Sequence, residues 1–338
     1  MTRRFPLETI VGLYFLTYLP NIVVTKLVTT KVHPGLGRPL TGLETLPASL
    51  IISLVLTYAF IYFSGWHRDA NAVDLGGRRF PIPTRYTFLS GIGTAFVLFT
   101  VPLSFTLQGV SIPFIQLLMR GDILIIAPLV DLIFGRRVQW WSWLALALVA
   151  ISLTFVVQQR GGFHLPPIAV ATVILYTIGY FIRLAVMTRV SKSGDPASVR
   201  RSFVEEKMIA LPLSVAALGV LSASGIGGQA GELAWGFLKV WSDPVIVPLL
   251  AIGFTLTVIS IFAAIILLDP RENSYCVPME RASSLIAGIA AAFLLHWLWG
   301  LRAPTGAETI GATILIGAIV LLSVAPRLGK AQARAESV

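Results

Sequence analysis

Val245-Ile246-Val247-Pro248-Leu249-Leu250-Ala251-Ile252-Gly253-Phe254-Thr255-Leu256-Thr257-Val258-Ile259-Ser260-Ile261-Phe262-Ala263-Ala264-Ile265-Ile266-Leu267-Leu268 runs for twenty-four residues without a charge. About 20 mostly apolar residues, rising 1.5 Å each in a helix, cross the roughly 30 Å hydrocarbon core of a bilayer. The stretch therefore reads as a membrane-spanning helix. Working outward from it, comparable stretches recur near 7–29, 44–64, 86–107, 110–134, 140–158, 167–188, 204–224, 273–299 and 306–325. The expected fold class is an all-α integral membrane protein with ten transmembrane helices.

The composition agrees. Of 338 residues, 56% are hydrophobic and only 12% charged, with a mean hydropathy of +0.82. Soluble domains carry about 25% charged residues, so most of this surface must face lipid. The net charge of +10 does not point to nucleic acid. Its basic residues sit in short connections between spans, where the positive-inside rule places them. With the single cysteine, Cys276, no intrachain disulfide forms. No separate cleavable signal is expected, because Met1-Thr2-Arg3-Arg4 leads straight into a full span.

Orientation follows from the connections. One side carries Arg3, Arg4, Arg68, Arg78, Arg79, Arg85, Arg136, Arg137, Arg189, Lys192, Arg200, Arg201, Arg271, Arg327, Lys330 and Arg334. The other carries only Lys31, Arg38, Arg160, Lys239 and Arg302. That asymmetry predicts an even number of spans with both termini in the cytoplasm, in a multi-pass protein of the cell inner (plasma) membrane. The breaker cluster Ser191-Lys192-Ser193-Gly194-Asp195-Pro196 reads as the hinge region between two halves. The expected organisation is five helices in 1–160, five in 161–326 and a cytoplasmic tail in 327–338.

Two segments look alike. Ser111-Ile112-Pro113-Phe114-Ile115-Gln116-Leu117-Leu118-Met119-Arg120 leads to the turn Gly135-Arg136-Arg137. Ser274 through Pro278-Met279-Glu280-Arg281 leads to Gly300-Leu301-Arg302, followed by the small-residue-rich Gly311-Ala312-Thr313-Ile314-Leu315-Ile316-Gly317-Ala318. The first copy starts outside and the second inside, the pattern of an inverted repeat in a transporter. Here the chain resembles the drug/metabolite transporter superfamily, in particular its ten-helix EamA-type members. Those carry a Gly-Glu-Arg turn after the fourth and ninth spans. This chain has Gly135-Arg136-Arg137 and Gly300-Leu301-Arg302 there, without the glutamate, so it resembles a diverged member. The resemblance implies two inverted five-helix repeats and a small-molecule substrate, but no particular substrate.

Ionisable residues at mid-membrane depth are costly and mark pathways or binding sites. Arg120 lies about ten residues into the fourth span and Arg281 about nine into the ninth, each roughly 15 Å deep. Guanidinium groups suit carboxylate or phosphate, so a metabolite with an anionic group is favoured. Gln116 shares a helix face with Arg120. Tyr176 and Tyr180, four apart, could flank a ligand or serve packing and lipid contact, and Pro20-Asn21 could break the first span at the site or simply kink it. These six residues are the expected substrate-binding set. Glu280 and Asp122 are the proton-coupling candidates, with a static ion pair as the competing reading. Neighbouring residues on a helix point about 100° apart, so at least one of Glu280 and Arg281 should face a cavity. Arg183 is expected to snorkel to the inner interface, and Glu205 and Glu206 to start the seventh span. Trp140, Trp141, Trp143, Trp297 and Trp299 read as interfacial belt residues.

No enzyme fingerprint stands out, and His33, His67, His164 and His296 lack metal spacing. Neither a metal nor a cofactor is expected. The reading is a secondary transporter working by alternating access, with proton coupling as an option. Its expected partners are a small-molecule substrate and membrane lipid, with a homodimer left open and no nucleic acid. The alternative is an integral membrane enzyme or lipid-handling protein acting at the interface, which would cluster carboxylates or histidines at loop level.

Overall fold

The structure, a computed structural model, describes residues 7–75, 78–107, 110–133, 140–159, 166–190, 195–225, 229–268 and 273–335. In parts of these helices, including 122–125 and 127–133, only the backbone is described. Long helices stand where the sequence places spans: α1 (Leu7–Val28), α2 (Gly42–Phe63), α3 (Arg85–Thr106), α4 (Ile112–Ile133), α5 (Trp140–Gln159), α6 (Pro167–Val190) and α7 (Pro196–Ala223). After the short α8 (Gln229–Ala234) come α9 (Ile246–Leu267), α10 (Asn273–Trp299) and α11 (Gly306–Ala335). Among the described residues, α1, α2, α3, α6, α7, α9 and α10 contain seven stretches long and apolar enough to cross a membrane. Shorter apolar stretches lie in α5 and α11. This is the build of an all-α membrane protein.

Local chemistry sets the helix ends. Thr41 and Glu44 form a reciprocal capping box at the start of α2. The Thr84 side chain accepts from the Thr87 amide at the start of α3. Asp195 caps α7 through the Ala197 and Ser198 amides, and Pro196 occupies its first turn. Gly300, at φ 66°, takes the left-handed conformation that ends α10. The long connection between α2 and α3 holds a small antiparallel hairpin, β1 (Ala72–Leu75) on β2 (Arg78–Pro81), pairing Ala72 with Pro81 and Leu75 with Arg78.

Three expectations need correction. Pro20 does not break the first helix, which runs unbroken through it. Membrane helices tolerate proline because neighbouring side chains and helices re-satisfy the freed backbone. The seventh helix starts at Pro196 rather than near 204, so Glu205 and Glu206 lie well inside it. Glu205 instead accepts from the Asn71 and Thr84 amides (3.0 and 3.2 Å) and the Thr87 hydroxyl (2.7 Å), which clamps the base of the hairpin loop. Arg183 does not snorkel. It is buried and paired with Glu206, Nη2 to Oε1 at 3.1 Å.

Packing follows a repeated scheme. α3 packs mainly on α6 and α7, and α9 packs mainly on α1 and α2. α4 contacts α5, and α10 contacts α11. α5 and α11 also lie against each other. The crossings are tight at glycine. A Cβ on Gly93 would sit 2.6 Å from the Gly179 carbonyl oxygen, so α3 and α6 meet backbone to backbone. A Cβ on Gly91 would strike Ile209 and the Glu206 carbonyl of α7, and one on Gly253 would strike Ile52 and the Ser49 carbonyl of α2. Outward faces are apolar, with Leu16, Val55, Val247 and Phe254 all more than half exposed. Trp140, Trp143, Trp297 and Trp299 stand exposed near helix ends, where indole rings suit a membrane interface.

Candidate functional site

The two buried arginines meet. Arg120 on α4 and Arg281 on α10 lie on one cavity of about 70 Å³, bounded by α1, α3, α4, α6, α7, α9 and α10. Arg120 donates through Nη1 to the Tyr176 hydroxyl and through Nη2 to the Tyr18 hydroxyl, each at 2.6 Å. The Arg281 Nη1 also bonds the Tyr176 hydroxyl. Its guanidinium lies over the Tyr180 ring, 3.6 Å from the centroid. Tyr176 and Tyr180 stack at 5.9 Å, and Tyr14 and Tyr18 lie 5.2 Å apart. Ring faces and hydroxyl oxygens thus replace much of the hydration that two cations would otherwise lose.

Glu280 is held in the same cluster. Its Oε1 accepts from the Tyr14 hydroxyl at 2.6 Å, and its Oε2 lies 3.4 Å from the Arg281 Nε. Both Glu280 and Arg281 line the cavity, although adjacent residues leave a helix about 100° apart. The length of the arginine side chain lets its head group swing back toward its neighbour. Among the described residues, Arg120 Nε, Arg281 Nη2, the Tyr180 hydroxyl and Glu280 Oε2 have no hydrogen-bond partner. Unspent donors on two neighbouring arginines have the geometry and charge that oxyanions accept from.

Of the residues singled out in the sequence, Arg120, Arg281, Tyr176, Tyr180 and Glu280 come together here. Gln116 does not line the cavity. It is buried against Gly288 of α10, where neither amide atom has a partner among the described residues. Asn21 faces α9 and donates to the Thr255 hydroxyl at 2.8 Å and the Ile252 carbonyl at 3.3 Å. The side chain of Asp122 and the turn at Gly135-Arg136-Arg137 lie outside the described residues.

Sequence reasoning missed Tyr14, Tyr18 and Lys207, and the signal for the first two was present. Tyr14 and Tyr18 precede Tyr176 and Tyr180 by 162 residues, Gly91 precedes Gly253 by 162, and Arg120 precedes Arg281 by 161. The facing residues share a three-residue step, at a spacing of 157 rather than 162. Gly91 rests on Glu206 and Ile209, and Gly253 rests on Ser49 and Ile52, in each case residues three apart on the facing helix.

The fold has a solved counterpart. A structure described as a crystal structure of a protein is similar to this chain with a TM-score of 0.54 and 17% identity, covering 94% of this chain and 98% of the other. At that identity the likeness concerns the fold alone. No family model and no curated protein matches the sequence.

A second ionic cluster borders the cavity. Glu206 on α7 takes Arg183 of α6 at 3.1 Å and the Ser90 hydroxyl of α3 at 2.7 Å. Lys207, 1% exposed, lines the cavity beside it. Cys276 is buried on α10, one turn before Glu280. Toward the far ends of α1 and α10 a separate cavity of about 190 Å³ is lined by Lys26, Ser111 and Arg302, among others.

Proposed function

We propose that this protein is a secondary transporter that carries a small organic anion across the inner (plasma) membrane. Ten helices would cross the bilayer with both termini cytoplasmic, and residues 1–160 and 161–326 would form two inverted five-helix repeats. The near-constant spacing of the two tyrosine pairs, the two arginines and the two glycine crossings supports that symmetry. It also supports membership in the drug/metabolite transporter superfamily that the sequence resembles.

One observation carries the functional reading. Arg120 and Arg281, from corresponding places in the two halves, converge on a buried cavity with donor atoms still unpartnered among the described residues. An anion there would be grasped by both halves at once, and rocking of the halves about that shared site would expose it to either side in turn. Tyr176 and Tyr180 would supply ring faces for the apolar part of the substrate. Glu280, already ion-paired with Arg281, would be the group that takes up a proton when an anion replaces it as counter-ion.

The test is uptake by the purified protein in liposomes. Arg120→Lys and Arg281→Lys keep the charge but lose the planar donor fork. Each should weaken anion uptake about tenfold, on the order of 1.4 kcal/mol, while the protein remains folded. The corresponding glutamine variants should lose more. Transport of organic cations with anions ignored would refute the reading.

A further inference from the structure

The cavity has a second cationic pole. Lys207 is buried among α3, α6 and α7 residues, and its Nζ lies 3.9 Å from Glu206 Oε1, beyond hydrogen-bond distance. Its other close neighbour is the ring of Phe203, 5.7 Å from the ammonium. Glu206 is already engaged by Arg183 and Ser90. Among the described residues, therefore, Lys207 makes no hydrogen bond, although an ammonium carries three donors.

The charges of the wall do not balance. Arg120, Arg183, Lys207 and Arg281 line the cavity with Glu280, and Glu206 stands behind Arg183 and Lys207. Each carboxylate is closest to one arginine: Glu280 to Arg281 and Glu206 to Arg183. That leaves two cations in excess: Arg120 bonds only tyrosine hydroxyls, and Lys207 shares Glu206 with Arg183 as the longer ion pair, 3.9 Å against 3.1 Å. Buried charges in a membrane protein are held by pairing or by a ligand.

Arg120 and Lys207, the two cations without a carboxylate of their own, lie apart. Arg120 bonds Tyr176, and Lys207 sits by the Arg183–Glu206 pair. Tyr176 and Arg183 are seven residues apart on α6, about 10 Å along the helix axis. Much of the remaining wall is apolar, with Val97, Leu98 and Val101 of α3 and Leu256 and Ile259 of α9, beside the hydroxyls of Thr94 and Ser260.

From this arrangement we infer that the ligand is a small dianion with its anionic groups at the two ends of a short apolar chain. One group rests on the Arg120–Arg281 pair and the other on Lys207, as in a linear dicarboxylate. The inference rests on the transporter reading above and names the substrate class of that same site.

Binding of succinate, its monoanionic counterpart butanoate and the matching four-carbon diamine to the full-length protein in detergent tests this. Succinate should bind at least about tenfold more tightly than butanoate. Lys207→Met should bring that ratio close to one, and Lys207→Arg should keep it well above one. Equal affinity of the wild-type protein for succinate and butanoate overturns the inference while leaving an anion transporter standing. So does a Lys207→Met variant that keeps the full ratio. Binding of the diamine with neither acid bound overturns the transporter reading for anions and this inference with it. If Lys207→Met fails to fold, dicarboxylates of two to six carbons on the wild-type protein decide the matter. A clear affinity optimum at one length supports two fixed poles, and a flat series refutes them.

Discussion

Helices α1 and α4 bring Tyr14, Tyr18 and Arg120 to the cavity, and α6 and α10 bring Tyr176, Tyr180 and Arg281. The two sets match residue for residue, yet their neighbours do not. The counterpart of Arg183 in the first half is Asn21, 162 positions earlier, and the counterpart of Glu280 is Met119, 161 positions earlier. Asn21 is content with a hydroxyl and a carbonyl on α9, whereas Arg183 requires the carboxylate of Glu206. At the cavity the aromatic and guanidinium groups recur at this spacing, whereas among the described residues the carboxylates that pair with its arginines, Glu206 and Glu280, both lie beyond residue 161. A recurring frame with uneven charge makes the two ends of the cavity unlike, an arginine pair at one and a lysine at the other.

The largest effect should come from breaking that asymmetry at its most buried pair. Glu206→Leu strands Arg183 and Lys207, and loss of one partner of a buried ion pair costs about 3–5 kcal/mol. Asn21→Leu removes only neutral hydrogen bonds, worth about 1 kcal/mol each. Thermal unfolding in detergent should separate the two variants widely, and similar melting points would erase the distinction between the halves.

The shared frame should respond alike in both halves, and less strongly. Gly91→Val and Gly253→Val each force a side chain against the branched carbons of an isoleucine closer than 3 Å, overpacking that costs about 1–3 kcal/mol. Gly12→Val, facing open space, should fall within about 0.5 kcal/mol of the unaltered protein. If only one of the two crossings is sensitive, the packing correspondence between the halves fails.

Glu280→Gln should perturb stability less than Glu206→Leu, because the amide can still accept from Tyr14 and Arg281 keeps its contacts with Tyr176 and Tyr180. Its effect should appear in transport instead. Uptake driven by a proton gradient should be lost while exchange of substrate across the membrane continues. Driven uptake with an unchanged pH dependence would restrict Glu280 to a fixed counter-ion.

Much of this was legible in the chain because a bilayer imposes simple rules. Uninterrupted apolar runs located the helices, and Arg120 and Arg281 stood out as charges inside such runs. Tyr176 and Tyr180 were found from their four-residue spacing. The Arg183–Glu206–Lys207 cluster was missed for a physical reason. Arg200, Arg201, Glu205, Glu206 and Lys207 make the start of α7 too polar for a hydropathy reading, so the helix was begun too late and its carboxylates were assigned to a helix terminus. The cap signal Asp195-Pro196 marks the true start, eight residues before the apolar run. Pro20-Asn21 reads in the sequence as a break or a kink, and the partners that Asn21 finds on α9 come from residues more than 230 positions away, which local sequence does not reveal.

Cys276 gives the molecule a built-in reporter. It is the sole thiol of the chain, is fully buried, and stands one turn from Glu280 on the same face of α10. Alkylation of the unmodified protein therefore registers a single position, next to the acid that neighbours Arg281. The rate of that reaction, followed as ligands and pH are varied, measures how often this part of α10 opens to water, with no cysteine-free background and no introduced label.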